Sequence, residues 1–222
     1  MSKLNVARLA VFLSAFLLFI VQPMVARAIL PILGGSAQVW NTCVLFFQLS
    51  LLAGYTYVHY VSKSMSLRKQ AALHSVLLVL PIATLPFAFR NLNSAPCGSS
   101  PVWWLIKMLL FSVGPSVWVV AATAPLVTRW YGTLGEDGSS DPYFLYSTSN
   151  LGSILALLSY PLVVEPLVGL QEQMKLWAVG YLVMLLILVW LAISVFKSKE
   201  LAGEAFPQVR PGYRSVLWWI TL

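Results

Sequence analysis

The sequence predicts an all-α, polytopic membrane protein: a bundle of six transmembrane helices followed by the start of a seventh. Three observations predict it. Hydrophobic residues make up 59% of the chain and charged residues only 9%, against roughly 45–50% and 25% in a soluble domain. The apolar residues gather into six stretches, 9–30, 40–61, 71–89, 102–128, 143–165 and 174–196, each reaching the roughly 17 residues a helix needs to cross a hydrocarbon core of about 30 Å. The basic residues then alternate in position. With the N-terminus in the cytoplasm, Lys3, Arg8, Lys63, Arg68, Lys69, Arg129, Lys197, Lys199, Arg210 and Arg214 fall inside and only Arg27, Arg90, Lys107 and Lys175 outside, the bias expected of membrane topology. The net charge of +7 is therefore a topology signal that also suits contact with anionic lipid, not a nucleic-acid-binding surface.

Taken in order, the first span follows Lys3 and Arg8 and ends near Ala26-Arg27-Ala28. That pattern imitates a cleaved secretory signal, but an arginine at the cut and the polytopic remainder favour a retained helix. Gly34-Gly35-Ser36 makes a tight outer turn into the second span; without a preceding strand or a GxGxxG pattern it is no nucleotide loop. The third span carries Pro81 and Pro86, the fourth Pro115 and Pro125, and the first Pro23 and Pro31, all of which interrupt helical hydrogen bonding where bundles bend or line cavities. Asp141 is placed to cap the fifth helix, with Pro142 in its first turn, and Pro161 lies near its far end. After the sixth helix, residues 197–215 form a cytoplasmic linker with Pro207 and Pro211, and 216–222 (VLWWITL) opens a truncated seventh helix, since seven residues rise only about 10 Å. The six-helix bundle, 1–196, divides into two blocks, 9–89 and 102–196. A shift of 102 residues lays Pro23 on Pro125, Arg27 on Arg129 and Gln48 on Asn150, the pattern of an inverted repeat of three helices each.

Polar side chains inside hydrocarbon are costly unless they face protein or water. Asn41, Gln48, Tyr55 and His59 line one stripe of the second helix, and Tyr146, Asn150 and Ser153 one stripe of the fifth. With Gln22 they define a candidate polar lane. A neighbouring face of the fifth helix holds Ser149, Gly152, Ala156 and Ser159, small residues that admit another helix backbone, so this helix is expected at the centre of the bundle. Arg27 and Glu165 both reach the outer end. Arg27 is either an anchor snorkelling to the headgroups or the partner of Glu165 in an ion pair or outer gate. Arg129 with Asp141 or Asp137 is a more exposed inner counterpart. His59 and His74 lie near the inner face and read as interfacial groups, and Trp103, Trp104, Trp218 and Trp219 suit an aromatic belt. Cys43 and Cys97 have no metal spacing and no evident pairing. No Ser/His/Asp set, metal cluster or cofactor-binding segment is present in the sequence, which argues against an enzyme and implies no cofactor.

Three stretches, ILPILGGSAQVWNTCVLFFQLSLLAGYTYVH, ATAPLVTRWYG and DPYFLYSTSNLGSILALLSYPLVVEP, resemble the membrane region of the bacterial fused major facilitator-like/spermidine synthase-like proteins, over most of residues 10–190. The resemblance implies one half of a major facilitator fold in a bacterial inner membrane, with helices one, two, four and five facing a central cavity. The glycine-rich segment of the aminopropyltransferase-like domain is absent from the chain. The facilitator signature between the second and third helices is matched only by Gly54 and Arg68-Lys69, without its acidic residue. Two functions follow as expectations. One is a transporter-like domain binding or moving a small polar or cationic solute, such as a polyamine, through the lane between helices one, two, four and five. The other is a membrane anchor or assembly subunit for a spermidine synthase-like enzyme. The partners expected are the bilayer, such a solute, and a second half or soluble enzyme.

Overall fold

The computed structural model describes residues 3–86, 100–134 and 143–197. These are helical, with no strand among the described residues. The helices are α1 (Lys3–Leu33), α2 (Ala37–Ser64), α3 (Leu67–Val79) running into a 3-10 turn (Leu80–Thr84), α4 (Pro101–Ser112), α5 (Gly114–Leu134), α6 (Tyr143–Ser159), a π turn (Tyr160–Val164) leading to α7 (Glu165–Leu167), and α8 (Leu170–Lys197). Four of the described segments are long and apolar enough to cross a membrane: Leu4–Leu33, Ala37–Ser64, Phe144–Leu167 and Leu170–Phe196. The predicted linker 197–215 beyond Lys197, the seventh helix, Cys97, Asp137, Asp141, Trp218 and Trp219 lie outside the described residues.

Two of the six predicted spans have a different form from a single straight helix. The fourth is a pair, α4 and α5, bent by 61°. Gly114-Pro115 accounts for the bend, because Pro115 has no N–H for the carbonyl four residues back and its ring crowds that turn. The third is shorter than predicted. Its α-helix stops at Val79, and Pro81 tightens the continuation into the 3-10 turn, so the stretch 71–89 is not one apolar α-helix. Pro161 acts more gently in α6: the ladder widens, Glu165 N–H bonding Tyr160 O across five residues, and the chain stays helical to Leu167. Glu165 thus sits immediately after a widened turn.

Between α1 and α2 the turn predicted at Gly34-Gly35-Ser36 is built as its residues require. Gly34 adopts φ +74°, a left-handed conformation that only glycine enters without strain, and its N–H bonds Leu30 O at 3.0 Å to close the end of α1. Ser36 Oγ accepts from Val39 N–H at 3.3 Å and caps α2.

α1 is the hub. It packs on α6, α5 and α8, while α5 also receives α2, and α3 lies against α8. The hub is possible because small residues lie where helices meet. A Cβ on Gly152 of α6 would fall 2.6 Å from Phe12 O and 3.4 Å from Ala15 Cβ, and one on Gly180 of α8 would fall 2.9 Å from Leu17 Cδ2. A Cβ on Gly54 of α2 would likewise fall 3.1–3.2 Å from Ala121 Cβ and from the backbone of Trp118 and Ala122 on α5. The stripe Ser149, Gly152, Ala156 and Ser159 is thus the face α6 turns to α1, with Gly152 and Ala156 fully buried.

Aromatic tips tie the helices together. Trp177 Nε1–H donates to Leu17 O at 2.9 Å, and Tyr181 O–H donates to Leu78 O at 2.8 Å. The second bond lands where α3 gives way to the 3-10 turn.

Candidate polar stripes and helix-end clamps

The predicted lane residues lie mostly on the outside of the chain. Asn41, Gln48 and Tyr55 are exposed on α2, Tyr146 and Asn150 are exposed on α6, and Ser153 and Gln22 are half-buried. Ser153 spends its hydroxyl within its own helix, donating to Ser149 O at 3.0 Å. Gln48 and Tyr55 lie toward the middle of α2 and Asn150 toward the middle of α6, whereas Asn41 and Tyr146 lie in the first turns of their helices.

Helix geometry tells where the stripes point. Tyr57 stacks on His74 of α3 with ring centroids 6.0 Å apart. Gln48 lies nine residues earlier and so about half a turn around the helix from Tyr57, on the side of α2 away from α3. In α6, Asn150 lies two residues before Gly152, about 160° around, and so faces away from α1. α2 packs on α5 and α4, whereas α6 packs on α1. Each stripe therefore lies on the face that its helix turns away from these neighbours. The shared period was legible; the direction each stripe faces was not.

At one end of the bundle the structure brings Arg27 and Glu165 together. Arg27 Nη1–H donates to the backbone carbonyl of Glu165 at 2.9 Å, and Arg27 Nε lies 3.9 Å from Glu165 Oε1. The side chains are 35% and 46% exposed, so the charges stay partly solvated and the carbonyl contact is the tighter of the two. Two residues that sequence reasoning passed over complete this end. Tyr160 O–H donates to Gln173 Oε1 at 3.2 Å, while Gln173 Nε2–H₂ donates to Val168 O at 2.8 Å and Val164 O at 3.4 Å. Gln173 thereby supplies a donor to Val168 O beyond the end of α7 and a second, longer bond to Val164 O, which already accepts Val168 N–H at 3.0 Å. In the sequence it sits in LQEQMK, which reads as a wet helix start; only the preceding Pro161-to-Gly169 break hints that a carbonyl acceptor needs a donor there.

At the other end Arg129 of α5 donates from Nη2 to Ser62 O of α2 at 3.0 Å. This contact has the same form as that of Arg27: a guanidinium near the end of one helix bonding a backbone carbonyl near the end of another. Arg8 lies over the Phe144 ring, 4.5 Å from its centroid, and joins α1 to the start of α6 at this end.

The predicted interfacial pair of histidines splits. His59 is exposed, with its ring edge-on to Tyr60. His74 is 1% exposed and lies inside the protein, between Tyr57 of α2 and Thr123 of α5. Around it Gln70 accepts from Trp130 Nε1–H at 3.3 Å and donates to Met65 O at 2.8 Å.

A groove of about 220 Å³ opens beside the α1–α2 turn, lined by Ala26, Leu30, Val39, Trp40 and the buried Cys43 among others. Its lining is apolar and includes none of the lane residues. Among the described residues no group of three or more His, Cys, Asp or Glu is arranged to hold a metal ion. Comparison with known protein families, with curated proteins and with solved structures returned no match.

Proposed function

We propose that this chain is a transporter-like membrane domain that binds or moves a small polar or cationic solute, a polyamine being one candidate, in a bacterial inner membrane with its N-terminus in the cytoplasm. In this reading the bent α4–α5 pair and the α3 segment count as spans, which gives six. The six form one half of a major facilitator-like arrangement as two inverted three-helix blocks. The exposed stripes of α2 and α6 then face a second polar surface or an aqueous path, not lipid.

One observation carries this reading: Gln48 and Asn150 are exposed well within long apolar helices. An amide left without a partner in hydrocarbon costs several kcal/mol, and a chain built only to sit in a membrane gains nothing from placing two there. The helix pairing is consistent with two exchanged blocks, since α1 of the first packs on α6 of the second and α5 of the second packs on α2 of the first. In such an arrangement Arg27 with Glu165, and Arg129 at the opposite end, act as gates that hold the two ends of the bundle.

The test is thermal unfolding of the purified chain in detergent or nanodiscs against a panel of amino acids, short amines and polyamines. A solute that raises the midpoint in the wild type, and no longer does so in Gln48→Leu and Asn150→Leu, is the expected result. No effect from any solute, or an effect that survives both substitutions, refutes it. Co-purification of a soluble enzyme in place of any solute effect would favour the anchoring function, which rests on the 197–215 linker.

A further inference from the structure

The fully buried His74 has a tautomer fixed by its neighbours. Its Nε2 lies 3.2 Å from Thr123 Oγ1, and Thr123 donates its one hydroxyl hydrogen to Val119 O at 2.9 Å. A hydroxyl has a single hydrogen to give, so at His74 it accepts, and Nε2 carries the proton. That leaves Nδ1 as a bare lone pair. Nδ1 has no hydrogen-bond partner among the described residues, and neither has Tyr57 Oη, although both atoms are out of solvent. The two belong to stacked rings, 6.0 Å between centroids and inclined by 24°, and they do not bond to each other. Trp118 packs edge-on against Tyr57 at 5.2 Å and Trp130 against His74 at 6.2 Å, and the nearby Gln70 is engaged with Trp130 Nε1–H and Met65 O.

The seam between α2, α3 and α5 thus holds one buried group that needs a hydrogen and one that has a hydrogen to give. Each carries the full cost of its lost hydration while it is unpaired. Water meets both needs at once, and buried waters are found at polar groups that lack protein partners. We propose that this seam is a water-binding site: water donates to His74 Nδ1 and accepts from Tyr57 O–H, in one step or through a second water. The inference does not depend on the transport reading, since it concerns a face of α2 half a turn away from Gln48.

The experiment is magic-angle-spinning NMR of the whole chain in lipid nanodiscs with ¹⁵N-labelled histidine, using the exposed His59 as the reference for bulk solvent. His74 is expected to show a protonated Nε2 and an unprotonated, hydrogen-bonded Nδ1, with magnetisation transfer from a water that exchanges more slowly than the water at His59. Tyr57→Phe keeps the ring between His74 and Trp118 and removes one ligand of the water. It should abolish most of the transfer to His74 while leaving the Nε2–H tautomer intact, which also certifies the fold. A proton on Nδ1, no transfer from water to His74 in the wild type, or transfer undiminished in Tyr57→Phe overturns the proposal.

Discussion

Gly152 is the position where the packing of α1 on α6 is most sharply exposed to test. A Cβ there would stand 2.6 Å from Phe12 O, whereas carbon and carbonyl oxygen come to rest at about 3.3 Å or more. Gly152→Ala therefore pushes α6 from α1 by about 0.7 Å, estimated from that contact distance. A gap of this size forfeits about a quarter to a half of each van der Waals well of about 0.1–0.2 kcal/mol, so roughly forty atom pairs lose about 1–4 kcal/mol. Alanine returns about 1 kcal/mol through its better helix propensity, leaving a net loss of about 0–3 kcal/mol, centred at about 1.5 kcal/mol. Gly132, also helical, has nothing within 4 Å of its hypothetical Cβ, so Gly132→Ala keeps the gain without the clash. Gly54 is intermediate, with its nearest atom at 3.1 Å, and Gly54→Ala should be close to neutral. Unfolding midpoints in a common detergent should fall in the order Gly132→Ala, wild type and Gly54→Ala together, then Gly152→Ala, with Gly152→Val lower still. If Gly152→Ala matches or exceeds Gly132→Ala, α6 does not meet α1 through this glycine.

Three further outcomes follow from individual contacts. A double-mutant cycle on Arg27→Gln and Glu165→Gln should return a coupling of no more than about 1 kcal/mol, because partly exposed pairs are screened; Arg27→Lys should weaken stability nearly as much as Arg27→Gln if the carbonyl bond of the planar guanidinium is what matters. Gln173→Leu strands Tyr160 O–H and removes the side-chain donor from Val168 O, while Val164 O keeps Val168 N–H, and should cost about 1–3 kcal/mol in chemical unfolding, with Tyr160→Phe added on top recovering part of the loss. Gly34→Ala, at φ +74° in otherwise open space, should lower stability by about 1 kcal/mol without altering the rest of the fold by circular dichroism, and an unchanged midpoint would show that the turn relaxes.

The sequence made legible those features whose meaning is settled within one helix. Long apolar runs announced α1, α2, α6 and α8, and small residues at Gly152 and Ala156 announced a close approach, because nothing but another backbone makes use of that space. Prolines marked breaks only in part: Pro115 produced a bend of 61°, Pro81 ended an α-helix and Pro161 produced only a widened turn, whereas Pro23 and Pro31 lie inside the continuous α1 and Pro125 inside the continuous α5. Each outcome depends on what takes the freed carbonyls, and that is a matter between helices. Tyr181 reaching Leu78 O, Trp177 reaching Leu17 O and Gln173 reaching Val164 and Val168 O required knowing how the helices are rotated against one another.

The polar stripes show where this limit bears on function. Spacing places Asn41, Gln48 and Tyr55 on one side of α2, and it holds equally for a lane, for a seam against a second layer of helices, or for a surface with no cover at all. Rotation about the α2 axis decides, and it is fixed by the opposite face, where Tyr57 meets His74 and Trp118 while Gly54 meets α5. The groups that aim the polar stripe are thus the aromatic ones behind it. Replacing Tyr57 by a small residue would free that rotation, and any solute effect at Gln48 should weaken with it even though Tyr57 touches no solute; an effect that persists at full strength would mean that the stripe is oriented by something other than this packing.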